Sequence, residues 1–286
     1  MKKIGELRTY YIQALSALYP EAEAGSITNW VFREVLDKTT TEVLLGAEEI
    51  IPPERLEQLM KMLERLKKYE PVQYILGYTW FHDLKLSVSP DVLIPRPETE
   101  ELVEQVIREH QDQKIRILDI GTGTGCIAIA LKRAMPHAEV HALDVSPAAL
   151  KVARENAGTL GVEINFAEAD ILQTSQISHL PQYDVVVSNP PYVTLAEQEN
   201  MLSNVAEYEP RLALFVPNED PFLFYKAICR FSNSHLKAGG AIWFEVNEHL
   251  AGELAQELRS SSEFNNIEIR KDLSGKQRFL KLVKQE

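Results

Sequence analysis

Apolar positions follow two different rhythms along this chain. Over residues 1–70 they recur at spacings of three and four. Ile4, Leu7, Tyr11, Leu15 and Leu18 form one stripe, and Leu56, Leu59, Leu63 and Leu66 form another. That period places each set on one face of a helix, so each stripe predicts an amphipathic helix with its apolar side buried. Pro52 and Pro53 stand just ahead of the second stripe, where a helix start tolerates the missing N–H. Residues 30–36 and 43–45 predict shorter helices between the two. The expectation is a small helical bundle, and a core alone is enough to explain its stripes.

The rhythm changes at Glu70-Pro71, because the residue ahead of a proline avoids helical geometry. Short aromatic and β-branched stretches over residues 74–88 flank Gly77 and Asp83, which predicts a β-hairpin. Residues 71–92 read as a linker built on that hairpin. Helix and strand patterns then alternate. Helices are expected at 98–110, 126–135, 147–160 and 221–236. Strands are expected at 116–120, 139–145, 163–169, 183–188 and 241–246, with more near Ile267 and Phe279. Such alternation implies a mostly parallel sheet with helices on both faces. The expected fold class is α/β: a Rossmann-like, seven-stranded, mostly parallel sheet over residues 93–286, with a small N-terminal helical domain joined to it by the hairpin.

Two motifs sit where ligands bind in such sheets, beyond the carboxyl ends of the strands. The first is Asp119-Ile-Gly121-Thr122-Gly123-Thr124-Gly125, between a strand and a helix. Glycines let the backbone approach a ligand and take positive φ, and the helix that follows aims free N–H groups at it. Asp144, at the end of the next strand, can accept from both ribose hydroxyls. This layout suits any adenosine ligand. The dinucleotide fingerprint needs a sixth-position glycine, where Cys126 stands. The GxGxG form fits S-adenosylmethionine better, since that ligand has no pyrophosphate to cradle. Asp170 and Ile171, at the end of the third strand, would meet the adenine, one by accepting from its amine and the other by covering its ring. On their own, the same two residues are equally a polar strand end and a core isoleucine.

The second motif is Asn189-Pro190-Pro191-Tyr192, after the apolar strand Tyr-Asp-Val-Val-Val-Ser. Asn-Pro is also ordinary turn punctuation. Its chemistry says more. A planar amide or amino nitrogen is a poor nucleophile, and two fixed acceptors would aim it at a methyl group. The Asn189 side-chain oxygen and the Pro190 carbonyl can be those acceptors. Consecutive prolines make a rigid corner with no competing N–H. Tyr192 offers a flat face for stacking.

Composition narrows the field. The chain has 286 residues, 45% hydrophobic and 25% charged, with a formal net charge of -12. So acidic a chain gains no bulk attraction to phosphate backbones, and stable nucleic-acid binding is not expected. Two cysteines without CxxC spacing and seven scattered histidines suggest neither a disulfide framework nor a metal site. No secretory leader and no membrane span are expected, which fits a cytoplasmic setting. The sequence has no GxSxG, HExxH or GxxxxGK[ST] motif.

The GTGTG loop followed by NPPY resembles the amino-methyltransferases, which act on DNA adenine or on protein glutamine. Residues 93–100 (LIPRPETE), residues 71–77 (PVQYILG) and Phe81 narrow this further. With them the chain is similar to the release factor glutamine methyltransferases, the HemK/PrmC family, along essentially its whole length. The resemblance implies a methyl donor, S-adenosylmethionine, and no metal. It implies a protein substrate, the glutamine of the Gly-Gly-Gln motif in peptide-chain release factors. Asn189, Pro190, Pro191 and Tyr192 would hold the glutamine amide. Gly121, Thr122, Gly123, Thr124, Gly125, Asp144, Asp170, Ile171 and Asn189 would hold the cofactor. Phe81 would lie beside the reacting centre, where an aromatic face favours a sulfonium; its alternative is a hairpin core residue. The PRPETE stretch would border the cofactor pocket or simply start a helix. Residues 1–70 would recognise the release factor. A ribosomal-protein glutamine, nucleic-acid adenine, or a non-catalytic binding module on the same fold remain the other readings of the motifs.

Overall fold

The computed structural model describes residues 2–173, 177–201, 203–261, 264 and 266–285. The chain divides into two compact units, residues 1–77 with 202–208 and residues 78–201 with 209–286. Among the described residues, no helix is long and apolar enough to cross a membrane.

The first unit is helical: α1 (Ile4–Leu15), α2 (Glu21–Leu36), α3 (Thr40–Leu45), α4 (Pro53–Leu66) and α5 (Val72–Leu76). Leu7, Tyr11, Leu15, Phe32, Leu59 and Leu63 are fully buried in its core, and the Tyr11 hydroxyl donates to the Leu59 carbonyl. Thr39 and Glu42 close a capping box on α3. Two expectations change here. The predicted helix 30–36 is the second half of a longer one. Its first half hides behind Gly25, Ser26 and Thr28, polar or small residues that interrupt the stripe. The Thr28 hydroxyl is satisfied by donating to Ala24 O at 2.7 Å, which lets it be buried. Pro71 does not end the helical part either. It caps α5, so residues 74–76 are helical and the hairpin is shorter than expected. Gly77 closes α5 in the left-handed conformation, φ 79°.

The second unit opens with the hairpin β1 (Tyr78–Phe81) and β2 (Leu84–Ser87). His82 and Asp83 turn it with φ of 50° and 60°, the left-handed pair that matches the strand twist. The main sheet has seven strands: β3 (Arg116–Ile120), β4 (Glu139–Asp144), β5 (Asn165–Glu168), β6 (Tyr183–Ser188), β9 (Leu236–Glu245), β10 (Asn266–Lys271) and β11 (Gln277–Val283). Two short strands, β7 (Val193–Thr194) and β8 (Phe215–Val216), pair apart from it. The sheet order is β10-β11-β9-β6-β3-β4-β5, parallel except at β11.

Alternate residues of the central strands serve opposite faces. Ile117, Val185, Val187 and Trp243 join one core, with residues of α6 (Pro97–His110) and α7 (Cys126–Ala134). Leu118, Val186, Ile242 and Phe244 join the other, with residues of α9 (Leu223–His235) and α10 (Ala251–Ser261). The helix α8 (Pro147–Leu160) follows β4. No helix was expected at α10. Its signal was present: Ala251, Leu254, Ala255 and Leu258 are at helical spacing and buried.

Candidate active site

The chain leaves β3 toward β4 on one side and returns to β6 on the other, so a crevice opens at the carboxyl ends of these strands. The glycine loop enters it. Gly121, Gly123 and Gly125 have φ of 75°, 54° and 82°, a region that L side chains rarely occupy. A Cβ on Gly121 or Gly123 would meet no protein atom within 4 Å, and both residues line the cavity. A Cβ on Gly125 would lie 3.0 Å from Ile129 Cδ1 and 3.2 Å from Ala153 Cβ. Gly125 thus lets α7 pack on α8, while the other two leave room for a ligand. The N–H groups of Gly121 and Thr122 both donate to Leu143 O at 2.9 Å, tying the loop to β4. Thr122 Oγ1 donates to buried Asp119 Oδ2 at 2.6 Å. Burial pushes that carboxyl up to about 7.

Asp144 braces the same loop. Its Oδ2 accepts from Gly123 N at 2.8 Å and its Oδ1 from Ser146 N at 2.9 Å. Burial raises its pKa against these hydrogen bonds. Asp170 accepts from Leu172 N at 2.9 Å and Gln173 Nε2 at 3.0 Å, and Ile171 beside it forms an apolar wall. The cavity holds about 930 Å³ including its mouth. Asp91, Asp144 and Asp170 line it, and the described lining residues include no Lys, Arg or His. A charged lining of one sign opposes a phosphate and favours hydroxyls, amines and positive charge.

Asn189, Pro190 and Pro191 form the far wall. Ser188 Oγ donates to Ile120 O at 2.6 Å, fixing the end of β6 to that of β3. Asn189 Nδ2 donates to Thr99 Oγ1 at 3.2 Å, and Thr99 Oγ1 donates to Glu245 Oε2 at 2.6 Å. Glu245 is only 2% exposed, and burial pushes it up to about 7. Another buried carboxylate, Glu209, accepts from Arg96 Nη2 at 2.6 Å and Ile94 N at 3.3 Å. It pins the segment carrying Leu93 to the one carrying Pro210 and Leu212, and all three line the cavity.

The expected residues sort into two groups. Gly121, Gly123, Asp144, Asp170, Ile171, Asn189, Pro190 and Pro191 meet at the cavity. Thr122, Thr124 and Gly125 are not on its wall. Their positions build the loop, and Thr124 Oγ1 accepts from Cys126 N at 3.3 Å to start α7. Tyr192 packs against the sheet core, where burial raises its phenol pKa. Phe81 is 1% exposed and packs with Leu84, Leu86 and Leu102 in the core, as its hairpin-core reading has it. The hairpin needs an apolar inward residue at that register, and Phe81 is it. An aromatic side chain that does line the cavity is Phe224. Sequence reasoning gave no individual role to Thr99, Glu209 or Glu245. Glu245 had a signal, since it ends the apolar run Ala-Ile-Trp-Phe-Glu, where a carboxylate is costly to bury.

Residues 6–77 match the PrmC N-terminal domain, and residues 98–207 match the methyltransferase small domain. A release factor glutamine methyltransferase of Flavobacterium psychrophilum is 40% identical over 283 residues, 98% of this chain and 98% of its own. One of Bacteroides thetaiotaomicron is 38% identical over 277 residues, 97% of this chain and 99% of its own. A solved methyltransferase structure from Pyrococcus furiosus shares the fold, with a TM-score of 0.53 at 16% identity over 71% of this chain and 90% of that one. Since the likeness to the two bacterial enzymes runs from end to end, through both units and the cavity, the chain belongs to the release factor glutamine methyltransferase family.

Proposed function

We propose that the protein transfers a methyl group from S-adenosylmethionine to the side-chain amide nitrogen, N5, of the glutamine in the Gly-Gly-Gln motif of peptide-chain release factors. The observation that carries this reading is the pairing of a largely apolar cavity, whose charged lining residues among those described are Asp91, Asp144 and Asp170, with an Asn-Pro-Pro corner on the same wall.

The cavity suits the cofactor on three counts. Its glycines leave space where a Cβ would stand. Its charged lining residues, among those described, are all acidic. Asp144 is desolvated and has lone pairs to spare for hydroxyl donors. Asp144 would take the ribose, Asp170 and Ile171 the adenine, and the loop at Gly121 and Gly123 would run beside them. When bound, the cofactor supplies an electrophilic methyl group on a sulfonium. A dinucleotide fits less well, since its pyrophosphate would face these carboxylates unpaired.

Asn189 Oδ1 and the Pro190 carbonyl would accept the two N–H bonds of the glutamine amide. Pro190 and Pro191 carry no N–H, so neither competes for those acceptors. Holding the nitrogen still in a water-poor pocket is the main contribution asked of these groups. A strong base is not required, because the nitrogen is acidic once methylated. The helical unit, residues 1–77 with 202–208, would dock the release factor, and the cytoplasm, where release factors work, would be the place of action.

Incubation with labelled S-adenosylmethionine and purified release factor, followed by peptide mapping, tests the reading. Label is expected on the motif glutamine and is lost in Asn189→Ala with the fold intact. Label that appears on an oligonucleotide at a comparable rate, and not on the release factor, overturns it.

A further inference from the structure

A side-chain amide has two ends of opposite polarity, and only the oxygen end of Asn189 can accept from a substrate NH₂. Its nitrogen end meets Thr99 Oγ1 at 3.2 Å. Thr99 has a single hydroxyl proton, and its oxygen lies 2.6 Å from Glu245 Oε2. An ionised Glu245 accepts and cannot donate, so the Thr99 proton points to it. Thr99 then offers Asn189 only lone pairs. Only the NH₂ end of Asn189 fits that partner, which leaves Oδ1 for the cavity that Asn189 lines.

We propose that Thr99 and Glu245 are positioning residues for this reaction: together they set which end of the Asn189 amide meets the substrate nitrogen. The proposal rests on reading Asn189 as the acceptor for the glutamine amide. It also gives the reaction a proton-sensitive element. A protonated Glu245 donates to Thr99, which frees the Thr99 proton for Asn189 Oδ1. The amide then turns its NH₂ to the cavity, donor against donor. Burial pushes Glu245 up to about 7; the Thr99 hydrogen bond, Arg278 and Arg96 oppose the rise and Glu98 adds to it. The Tyr192 and Tyr225 phenols and the Cys126 thiol nearby are held neutral by their own burial. Since the competent form is the ionised one, turnover falls as the pH drops through the region near 7.

Two measurements on the full chain test this. In the first, the side-chain ¹⁵NH₂ resonance of Asn189, assigned by its absence in Asn189→Ala, is followed against pH. It is expected to titrate with Glu245 in the wild type and to stay flat in Thr99→Val. A flat wild type, or an unchanged titration in Thr99→Val, overturns the relay. In the second, kcat and cofactor affinity are measured on the release factor. Thr99→Val should lose roughly 100-fold in kcat and Thr99→Ser no more than about threefold, with cofactor affinity kept in both. Full kcat in Thr99→Val overturns the proposal. If Thr99→Val does not fold, Glu245→Gln takes its place. A neutral amide can order the relay either way, so kcat should drop and the acid limb should vanish; a wild-type profile overturns the proposal. A wild type whose Asn189 titrates but which leaves release factor unmethylated would fault the assigned reaction and keep the relay.

Discussion

Both oxygens of the Asp144 carboxylate already accept a backbone N–H, one from the glycine loop and one from Ser146, the N-cap of α8. Each oxygen has a second lone-pair direction, and those two directions are what remains for a ligand's hydroxyls. The side chain therefore shapes the loop, and the ribose contact proposed for it would use the directions left over. Asp144→Ala should weaken cofactor binding by about 1.5–3 kcal/mol, the range for a hydrogen bond to a charged group. Asp144→Asn should do no better, because its NH₂ would face one of the two N–H donors. Calorimetry reads both, and unchanged affinity in Asp144→Ala would remove the ribose assignment. That residue was legible in the sequence because its neighbours fix it locally: strand, loop and helix follow one another. The Asn189–Thr99–Glu245 chain was not. Its members are 90 and 146 positions apart, and no local pattern reports a contact that only the closed sheet creates.

The strand–loop–helix element shows how three similar glycines divide the work. Gly123 is left-handed with open space where its Cβ would go, and Gly125 is left-handed against Ile129 and Ala153. Gly125→Ala should cost the fold about 1–3 kcal/mol through overpacking between α7 and α8. Both variants carry the left-handed backbone strain, about 1–2 kcal/mol; beyond it, Gly123→Ala should act on cofactor affinity, since its methyl group projects into the cavity. Urea titration and calorimetry on both variants separate the two effects; equal losses of stability with equal affinities would refute the division. The central strands were legible for the same kind of reason. Strands buried on both faces are apolar through their middle, as β6 is at Val185, Val186 and Val187, and helices that cover them keep one stripe. Where the pattern was softened, reading failed. In α2 a small and polar first half is rescued by a hydroxyl that bonds back to its own helix. In α5 a proline that looks like a terminator is an N-cap.

On the scale of the whole chain, residues 202–208 group with the N-terminal helices although the segments on both sides of them belong to the sheet unit. The Tyr208 hydroxyl donates to Lys68 O at 2.7 Å within the helical unit. The next residue, Glu209, is held in the sheet unit by Arg96 and Ile94 N, and Pro210 and Leu212 on the cavity wall follow directly. The buried ion pair thus anchors the wall at the point where the chain returns. Damage to the helical core should stop at that anchor. Leu63 is fully buried in the helical unit, and Leu63→Ala should destabilise that unit by about 2–5 kcal/mol. Near the temperature where the weakened unit melts, cofactor affinity should stay close to wild type, while methylation of intact release factor falls with the helical signal. Glu209→Gln should do the reverse, loosening the cavity wall and lowering cofactor affinity with the helical unit intact. Calorimetry and methyl transfer on each variant decide between this and a single cooperative body: in that case Leu63→Ala would lose cofactor affinity and helical structure together, and the division of labour between the two units would be wrong.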